Sequence, residues 1–341
     1  MRSLFASILL LAFTGGTAKA DSLLVNGAGA TFPFPLYSKW FSEYNKKHPD
    51  LKFNYQSIGS GGGIKQITER TVDFGASDAP MSDKEMEKAA GIVHIPTALG
   101  AVAVVYSGAP AGLKLTSDNV AGIFLGVIAK WNDPRIAAVN PGVTLPDVTI
   151  TVAHRSDGSG TTAVFTDYLA KVSADWKTKV GAGKSVKWPV GLGGKGNEGV
   201  TGIVKSTPGA VGYVELAYAN QNKLAMALIK NADGAFVAPS IESTSEAAAG
   251  VSMPADYRVS ITNAAGKHAY PISSFTYILV YKEQTDQKRG EALVQFLWWA
   301  VHDGQALSAA LDYAPLPKSV VSKVEATLKT ITVMGKQVVV R

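Results

Sequence analysis

Three glycine-containing turns, each followed by a helix-like stretch, carry side chains suited to holding an anion. They read GAGATF at 27–32, GSGGG at 59–63 and DGSGT at 157–161. The first N–H groups of a helix lack intrahelical partners, and the helix dipole favours negative charge there. Small residues let an oxyanion approach this backbone, and Thr31, Ser60, Ser159 and Thr161 add hydroxyl donors. Helix capping explains a single such turn more often, but three in one chain favour an oxyanion site.

Two charged residues, Arg155 and Asp78, are further candidates for such a site. Arg155 precedes Gly158 by three residues, so its guanidinium can make forked hydrogen bonds to an oxyanion held by the turn. Asp157 can hold that guanidinium in place; the alternative is an exposed ion pair of little energetic value. Asp78 ends the strand-like segment 73–78, and the alternative to a binding role is a turn or helix cap.

Several enzyme motifs are incomplete in this chain. Residues 158–163 fit G-x-G-x-x-A, but no acidic residue ends a second strand about twenty residues later, as a dinucleotide-binding fold requires. Residues 183–185 resemble the end of a P-loop, but Thr178 stands where the first glycine is required. There is no G-x-S-x-G elbow, and the five histidines lack metal-ligand spacing. These motifs therefore give no support for an enzyme.

Two further features remain open at this point. His154 beside Arg155 could be a general base, although a structural histidine at the end of a strand is more common. The segment GLGGKGNE at 191–198 is either a surface loop or another anion-binding loop.

Composition excludes other classes of protein. The chain has 341 residues, 46% of them hydrophobic, which predicts about two domains and a core that needs no staple. The absence of cysteine excludes a disulfide scaffold, a thiolate metal site, a thiol nucleophile and a lipidated N-terminal cysteine. The formal net charge is +6, but the basic residues are scattered without interleaved aromatics, which disfavours nucleic-acid binding.

Residues 1–20 have the layout of a secretory signal. Arg2 precedes a short apolar run, and Ala18-Lys19-Ala20 predicts cleavage before Asp21. The run is too short to span a bilayer, and no later apolar span matches it, so the mature chain is expected to be soluble. The mild positive excess that remains fits an anionic ligand or proximity to a membrane surface, but requires neither.

The elements that must position these residues alternate along the chain, which predicts an α/β fold. Helical spacing of apolar residues predicts helices at 38–47, 64–70, 161–172 and 291–302. Alternating or continuous apolar runs predict strands at 52–58, 101–106, 148–153, 210–214 and 277–281. Trp298 and Trp299 lie within a periodic helix, which favours packing over ligand stacking.

The chain resembles the periplasmic phosphate-binding proteins of the high-affinity phosphate (Pst) ABC transporter, with motifs in the family's order over essentially the whole mature chain. The matching stretches are GAGATFPFPLYSKW (27–40), IGSGGGIKQI (58–67), TVDFGASDAPMS (71–82), HRSDGSGTTAVFTDYLAKV (154–172), KWPVGLGGKGNEGV (187–200), PGAVGYVELAYA (208–219) and LDYAPLP (311–317). Gly61 departs from relatives with a second serine in that turn, which should loosen the turn. Residues 234–268 match poorly.

The resemblance implies a two-lobed, type II periplasmic-binding-protein fold of the α/β class, with phosphate in the cleft between lobes. Lobe 1 would comprise about 21–97 with 271–341, and lobe 2 about 98–270, with crossovers near 96–97 and 271–272. Asp157 would orient the arginine. The implied phosphate ligands are Thr31, Phe32 through its backbone amide, Ser60, Asp78, Arg155, Ser159, Gly160 and Thr161.

The resemblance further implies a monomeric periplasmic receptor without a lipid anchor, cofactor, metal or enzymatic activity, which delivers phosphate to an inner-membrane ABC permease. One alternative is a secreted phosphatase on a similar cradle, although a metal cluster and a nucleophile–base pair are not evident. Others are a receptor for another oxyanion, such as sulfate, or a receptor-like surface adhesin.

Overall fold

The structure is a computed structural model that describes residues 22–340, so the predicted signal at 1–20 lies outside the described residues. The strands are β1 (Leu23–Gly29), β2 (Leu51–Ser57), β3 (Phe74–Ser77), β4 (Ile92–Tyr106), β5 (Lys114–Leu115), β6 (Thr151–Arg155), β7 (Leu192–Gly194), β8 (Ala210–Glu215), β9 (Ala225–Met226), β10 (Leu228–Lys230), β11 (Phe236–Val237), β12 (Ser273–Tyr281), β13 (Glu283–Gln284), β14 (Thr332–Val333) and β15 (Lys336–Gln337).

The α-helices are α1 (Phe34–Lys47), α2 (Ser60–Thr68), α3 (Asp83–Lys88), α4 (Ser117–Phe124), α5 (Pro134–Ala137), α6 (Gly160–Val172), α7 (Ala174–Lys179), α8 (Gly196–Ser206), α9 (Leu216–Gln221), α10 (Ile241–Ala249), α11 (Gln287–Val301) and α12 (Lys318–Leu328). Two short 3-10 helices follow α11 at Asp303–Leu307 and Ala309–Leu311. The predicted α/β alternation is confirmed. Within the described residues, no helix is long and apolar enough to cross a membrane.

The central sheet has the order β2-β1-β3-β12-β4-β8-β6-β7, with β9 paired to β4. β4 changes partner along its length: residues 92–101 pair with β12, and residues 102–106 pair with β8. We call the part of the molecule built on β1, β2 and β3 lobe 1, and the part built on β6, β7 and β8 lobe 2. β4 runs from one lobe into the other.

The burial of each strand follows its place in the sheet. Every residue of β8 and β12 is buried, because both strands lie in the middle of the sheet, where helices cover its two faces. β2 is an edge strand of the sheet, and exposed residues alternate along it with more buried ones, as the sequence pattern predicted. Trp299 packs against Tyr44, with 5.2 Å between ring centroids, which confirms the packing role expected of the paired tryptophans.

The candidate turns lie at one edge of this sheet. β1 runs parallel to β2 and β3, and β6 runs parallel to β7 and β8. The turns follow the carboxyl ends of β1, β2 and β6, the position at which open α/β sheets bind ligands. α2 begins at Ser60, four residues before the predicted start. Glycine is required at position 63 of this helix, because a Cβ there would lie 2.5 Å from the Cα of Gly29.

Candidate functional site

The turns of the two lobes lie against each other. The Gly61 N–H in α2 donates to the Gly158 carbonyl at 2.8 Å, which joins the lobe 1 turn to the lobe 2 turn. A Cβ on Gly160 would lie 2.4 Å from Ser60 Oγ and 2.6 Å from Asp78 Oδ2. The structure thus brings together the predicted site residues. Every one of them that has a side chain is buried: Thr31, Phe32, Ser60, Asp78, Arg155, Ser159 and Thr161.

Arg155 forms a buried pair with Asp157. The Asp157 carboxylate accepts hydrogen bonds from Arg155 Nε at 2.7 Å and Nη2 at 2.5 Å. The two side chains are only 1% and 13% exposed, so the pair is not the weak surface ion pair considered as the alternative. Burial by itself would raise the pKa of Asp157, but its hydrogen bonds to Arg155 and to the Gly196 N–H hold the pKa below its ordinary value. Asp157 is therefore an anion that fixes the guanidinium.

Asp78 is a buried acceptor at the end of β3. Its carboxylate accepts hydrogen bonds from Thr276 Oγ1 at 3.0 Å and from Ser60 Oγ at 3.5 Å. Burial raises its pKa to about 7, because a charged carboxylate is costly to remove from water. The cap of the following helix is provided by Ser82 and Glu85 instead. The role of helix cap that the sequence left open for Asp78 is therefore filled by other residues.

The first turn of α6 presents backbone donors. Ser159 is its N-cap, and Ser159 Oγ accepts from the Thr162 N–H at 3.0 Å, which leaves the hydroxyl proton free to donate. The first N–H groups of the helix, including those of Gly160 and Thr161, have no intrahelical acceptor. This turn can therefore bind an oxyanion through its backbone while the helix dipole favours the negative charge.

Two tyrosines hold the turn that follows β1. Tyr218 Oη donates to the Thr31 carbonyl at 2.6 Å, and Tyr313 Oη donates to the Phe32 carbonyl at 2.6 Å. Because the peptide bond is planar and trans, fixing the Thr31 carbonyl also fixes the Phe32 N–H on the opposite side. The backbone amide of Phe32 therefore has a set direction.

The segment at 191–198 has a divided structure. Residues 191–193 are exposed, whereas Asn197 at the start of α8 is completely buried and contacts both Thr31 and Thr161. Asn197, Tyr218, Tyr313 and Thr276 are site residues that sequence reasoning missed. The one available signal for Asn197 was its position within a glycine-rich segment directly before a helix.

His154 has a structural environment. Its ring stacks on Trp188, with 4.8 Å between ring centroids and an interplanar angle of 11°. Its Nδ1 lies 3.1 Å from the carbonyl of Arg155. These contacts favour the structural alternative over a general base. Among residues 22–340, no group of three or more His, Asp or Glu residues could hold a metal ion.

Two lobes that share the strand β4 and enclose polar side chains between them define a bilobed α/β binding protein. A family model for the PBP superfamily domain matches residues 14–303. The phosphate-binding protein PstS of Xylella fastidiosa (strain Temecula1) is 48% identical over 90% of this chain and 85% of its own length. That of Pasteurella multocida is 46% identical over 95% of each chain. The chain belongs to the PBP superfamily and, within it, to the PstS family.

Solved structures show the same fold. The high affinity periplasmic phosphate-binding protein PfluDING, bound with phosphate, has a TM-score of 0.70 at 22% identity, covering 89% of this chain and 93% of its own. The phosphate binding protein from Stenotrophomonas maltophilia has a TM-score of 0.69 at 21% identity, covering 89% and 94%. The predicted two-lobed periplasmic-binding-protein fold is confirmed.

Proposed function

We propose that this chain is a receptor that binds inorganic phosphate between its two lobes and delivers it to an ABC permease for import. The observation that carries the proposal is the buried acceptor Asp78, which lies directly against the donor-rich first turn of α6. Such a site suits an anion that offers several acceptor oxygens and retains one proton, as phosphate does near neutral pH. The names of the PstS relatives agree with this ligand.

Within this proposal, each site residue has a defined role. Arg155 offsets part of the ligand's charge, Asp157 orients Arg155, and Asp78 accepts a hydrogen bond from the ligand's protonated oxygen. The remaining ligands donate hydrogen bonds through hydroxyl or backbone N–H groups: Thr31, Phe32, Ser60, Ser159, Gly160 and Thr161. The lobes are proposed to divide at about 97/98 and 270/271.

The setting of the protein is also part of the proposal. The signal-like residues 1–20 direct the chain to the periplasm, where it works as a monomer and hands phosphate to an inner-membrane permease. The receptor itself makes or breaks no covalent bond when it binds and releases phosphate. PfluDING, which shares this fold, is a periplasmic phosphate-binding protein, and this supports the compartment.

Titration calorimetry of the purified protein with phosphate, arsenate and sulfate tests the proposal. We expect one phosphate per chain, with arsenate binding and sulfate binding far more weakly, because sulfate has no proton for Asp78. Sulfate binding as tight as phosphate binding would contradict the assigned ligand. Incubation with a chromogenic phosphate ester tests the phosphatase alternative, and steady product release would contradict a pure binding function.

A further inference from the structure

The hydroxyl oxygens of Thr31 and Thr161 each receive two hydrogen bonds. Thr31 Oγ1 accepts from the backbone N–H of Asn197 at 3.2 Å and from its side-chain Nδ2 at 2.7 Å. Thr161 Oγ1 accepts from Arg155 Nη1 at 3.3 Å and from Asn197 Nδ2 at 3.4 Å. Both threonines are buried, so these donors determine how their hydroxyls can interact.

The orientation of the Asn197 amide is fixed by a backbone group. The N–H of Glu215, which can only donate, lies 3.0 Å from Asn197 Oδ1. The amide oxygen must therefore face Glu215, and the NH2 group must face the two threonines. Asn197 itself is completely buried, so no water competes for this arrangement.

A hydroxyl group has one proton and two lone pairs. When two donors occupy both lone pairs, the only remaining interaction is donation of the proton to another acceptor. We propose that Asn197 is a positioning residue that restricts Thr31 and Thr161 to donating their protons to the bound anion. This inference rests on the proposed function, because it requires the two threonines to be ligands of the anion.

The same amide connects the lobes. Thr31 follows β1 in lobe 1, whereas Thr161 and Asn197 begin α6 and α8 in lobe 2. The bond from Asn197 to Thr31 therefore forms only when the lobes are together, while its bond to Thr161 remains within lobe 2. Asn197 thus completes the orientation of the lobe 1 hydroxyl at the moment of closure.

A double-mutant cycle tests this role. Phosphate dissociation constants are measured by titration for Asn197→Ala in the wild-type background and in a Thr31→Val, Thr161→Val background. Thermal shifts at millimolar phosphate extend the measurement to weak binders. The matched control is Asn140→Ala, since Asn140 is also buried and bonds backbone groups of Lys114 and Ile136, outside the site.

We expect Asn197→Ala to weaken binding about tenfold in the wild-type background, and to cause no further loss where both hydroxyls are absent. Asn140→Ala should lower the unfolding temperature without weakening binding. An equal loss in both backgrounds would show a merely structural role and overturn the inference, as would unchanged binding by Asn197→Ala in the wild-type background. If the wild-type protein did not bind phosphate, the proposed function itself would fail, which is a separate outcome.

Discussion

Arg155 is the cation of the proposed site, and Asp157 holds its guanidinium through Nε and Nη2. Replacing Arg155 with Ala removes a buried charge-assisted fork, and we expect a loss of about 2–4 kcal/mol in phosphate binding. Arg155→Lys should recover only part of this loss, because an ammonium group cannot make the bidentate geometry. Titration calorimetry measures both effects.

The control for Arg155 is Arg135, which makes a similar fork on the protein surface. Arg135 Nε and Nη2 donate to Asp133 at 2.8 and 2.7 Å, and the Arg135 side chain is 51% exposed. Arg135→Ala should leave phosphate affinity unchanged. Near wild-type affinity in Arg155→Ala would show that the site is wrongly assigned.

Asp78 is expected to set the preference for phosphate over sulfate. As a carboxylate it accepts a hydrogen bond from a protonated phosphate oxygen, whereas sulfate would place a bare negative oxygen against it in a dry cleft. Asp78→Asn offers an amide donor instead, so we expect it to gain sulfate binding relative to phosphate. Competition titrations at pH 8, above the raised pKa of Asp78, measure this. An unchanged preference in the variant would place selectivity elsewhere.

Asp78 should also make the stability of the ligand-free protein depend on pH. Burial raises its pKa from 3.8 to about 7, so the folded state favours the protonated acid. The protonated Asp78 contributes fully to the stability of the folded state below pH 3.8, its pKa in the unfolded chain. This contribution is lost as the pH rises to about 7, its pKa in the folded state. Denaturant titrations at pH 5 and pH 8 should show Asp78→Asn gaining stability relative to wild type at the higher pH, by on the order of a few kcal/mol.

The buried His94 also titrates, but it affects the stability of wild type and of Asp78→Asn equally. Burial lowers the pKa of His94 to about 4, so that side chain destabilises the folded state as the pH falls, in wild type and variant alike. The difference between the two proteins therefore reports Asp78 together with the effect of its charge on Glu215, another buried acid whose pKa burial raises well above its ordinary value. An equal pH dependence in both would argue that Asp78 is ionised in the folded state throughout this range.

The sequence could reveal the site residues that belong to local motifs, such as the DGSGT turn with Arg155 ahead of it. It could not reveal residues whose partners are distant along the chain. Asn197 bonds Thr31 across 166 positions, Tyr218 bonds it across 187, and Tyr313 bonds Phe32 across 281. No local spacing encodes such contacts, because they exist only after the sheet has assembled.

Among the elements, the start of α6 leaves no room for a side chain. Gly160 has no side chain, and an added Cβ would fall within 2.4 Å of Ser60 Oγ across the boundary between the lobes. Gly160→Ala should therefore weaken phosphate binding at least tenfold, because the methyl group keeps α6 away from Ser60 and Asp78. Titration calorimetry gives the affinity, and circular dichroism checks that the helix is retained.

The matched control is another helical glycine. A Cβ on Gly202 in α8 would have nothing within 4 Å, so Gly202→Ala should leave binding unchanged and raise stability by about 1 kcal/mol. Equal phosphate affinity in Gly160→Ala and Gly202→Ala would contradict the close approach of α6. The four helices and five strands that the sequence predicts all form, with shifted ends, but it indicates few of the other elements. It also misses the early start of α2, since a run of glycines is a poor local signal for a helix.

For the whole molecule, the sequence patterns predicted the α/β class, whereas the lobes were implied only by the family resemblance. The reason is physical: β4 is a single buried strand, and nothing in its apolar run marks the residue at which its partner changes from β12 to β8. Outside the site, polar contacts also join the proposed lobes. They include the ion pairs of Lys184 with Glu85 at 2.8 Å and of Arg258 with Asp83 at 2.6 Å, which are partly exposed and therefore weak.

The placement of the proposed phosphate ligands on both lobes predicts that the ligand drives closure. Phosphate would bond Thr31, Ser60 and Asp78 in lobe 1 together with Arg155 in lobe 2, so it favours the closed form by contacts the open form lacks. The radius of gyration from small-angle scattering should therefore fall when phosphate saturates the wild-type protein, with no change in mass. Arg155→Ala at the same phosphate concentration should keep the larger radius. An unchanged wild-type radius, with saturation verified by calorimetry, would mean that the free protein is already closed or that phosphate does not bind between the lobes.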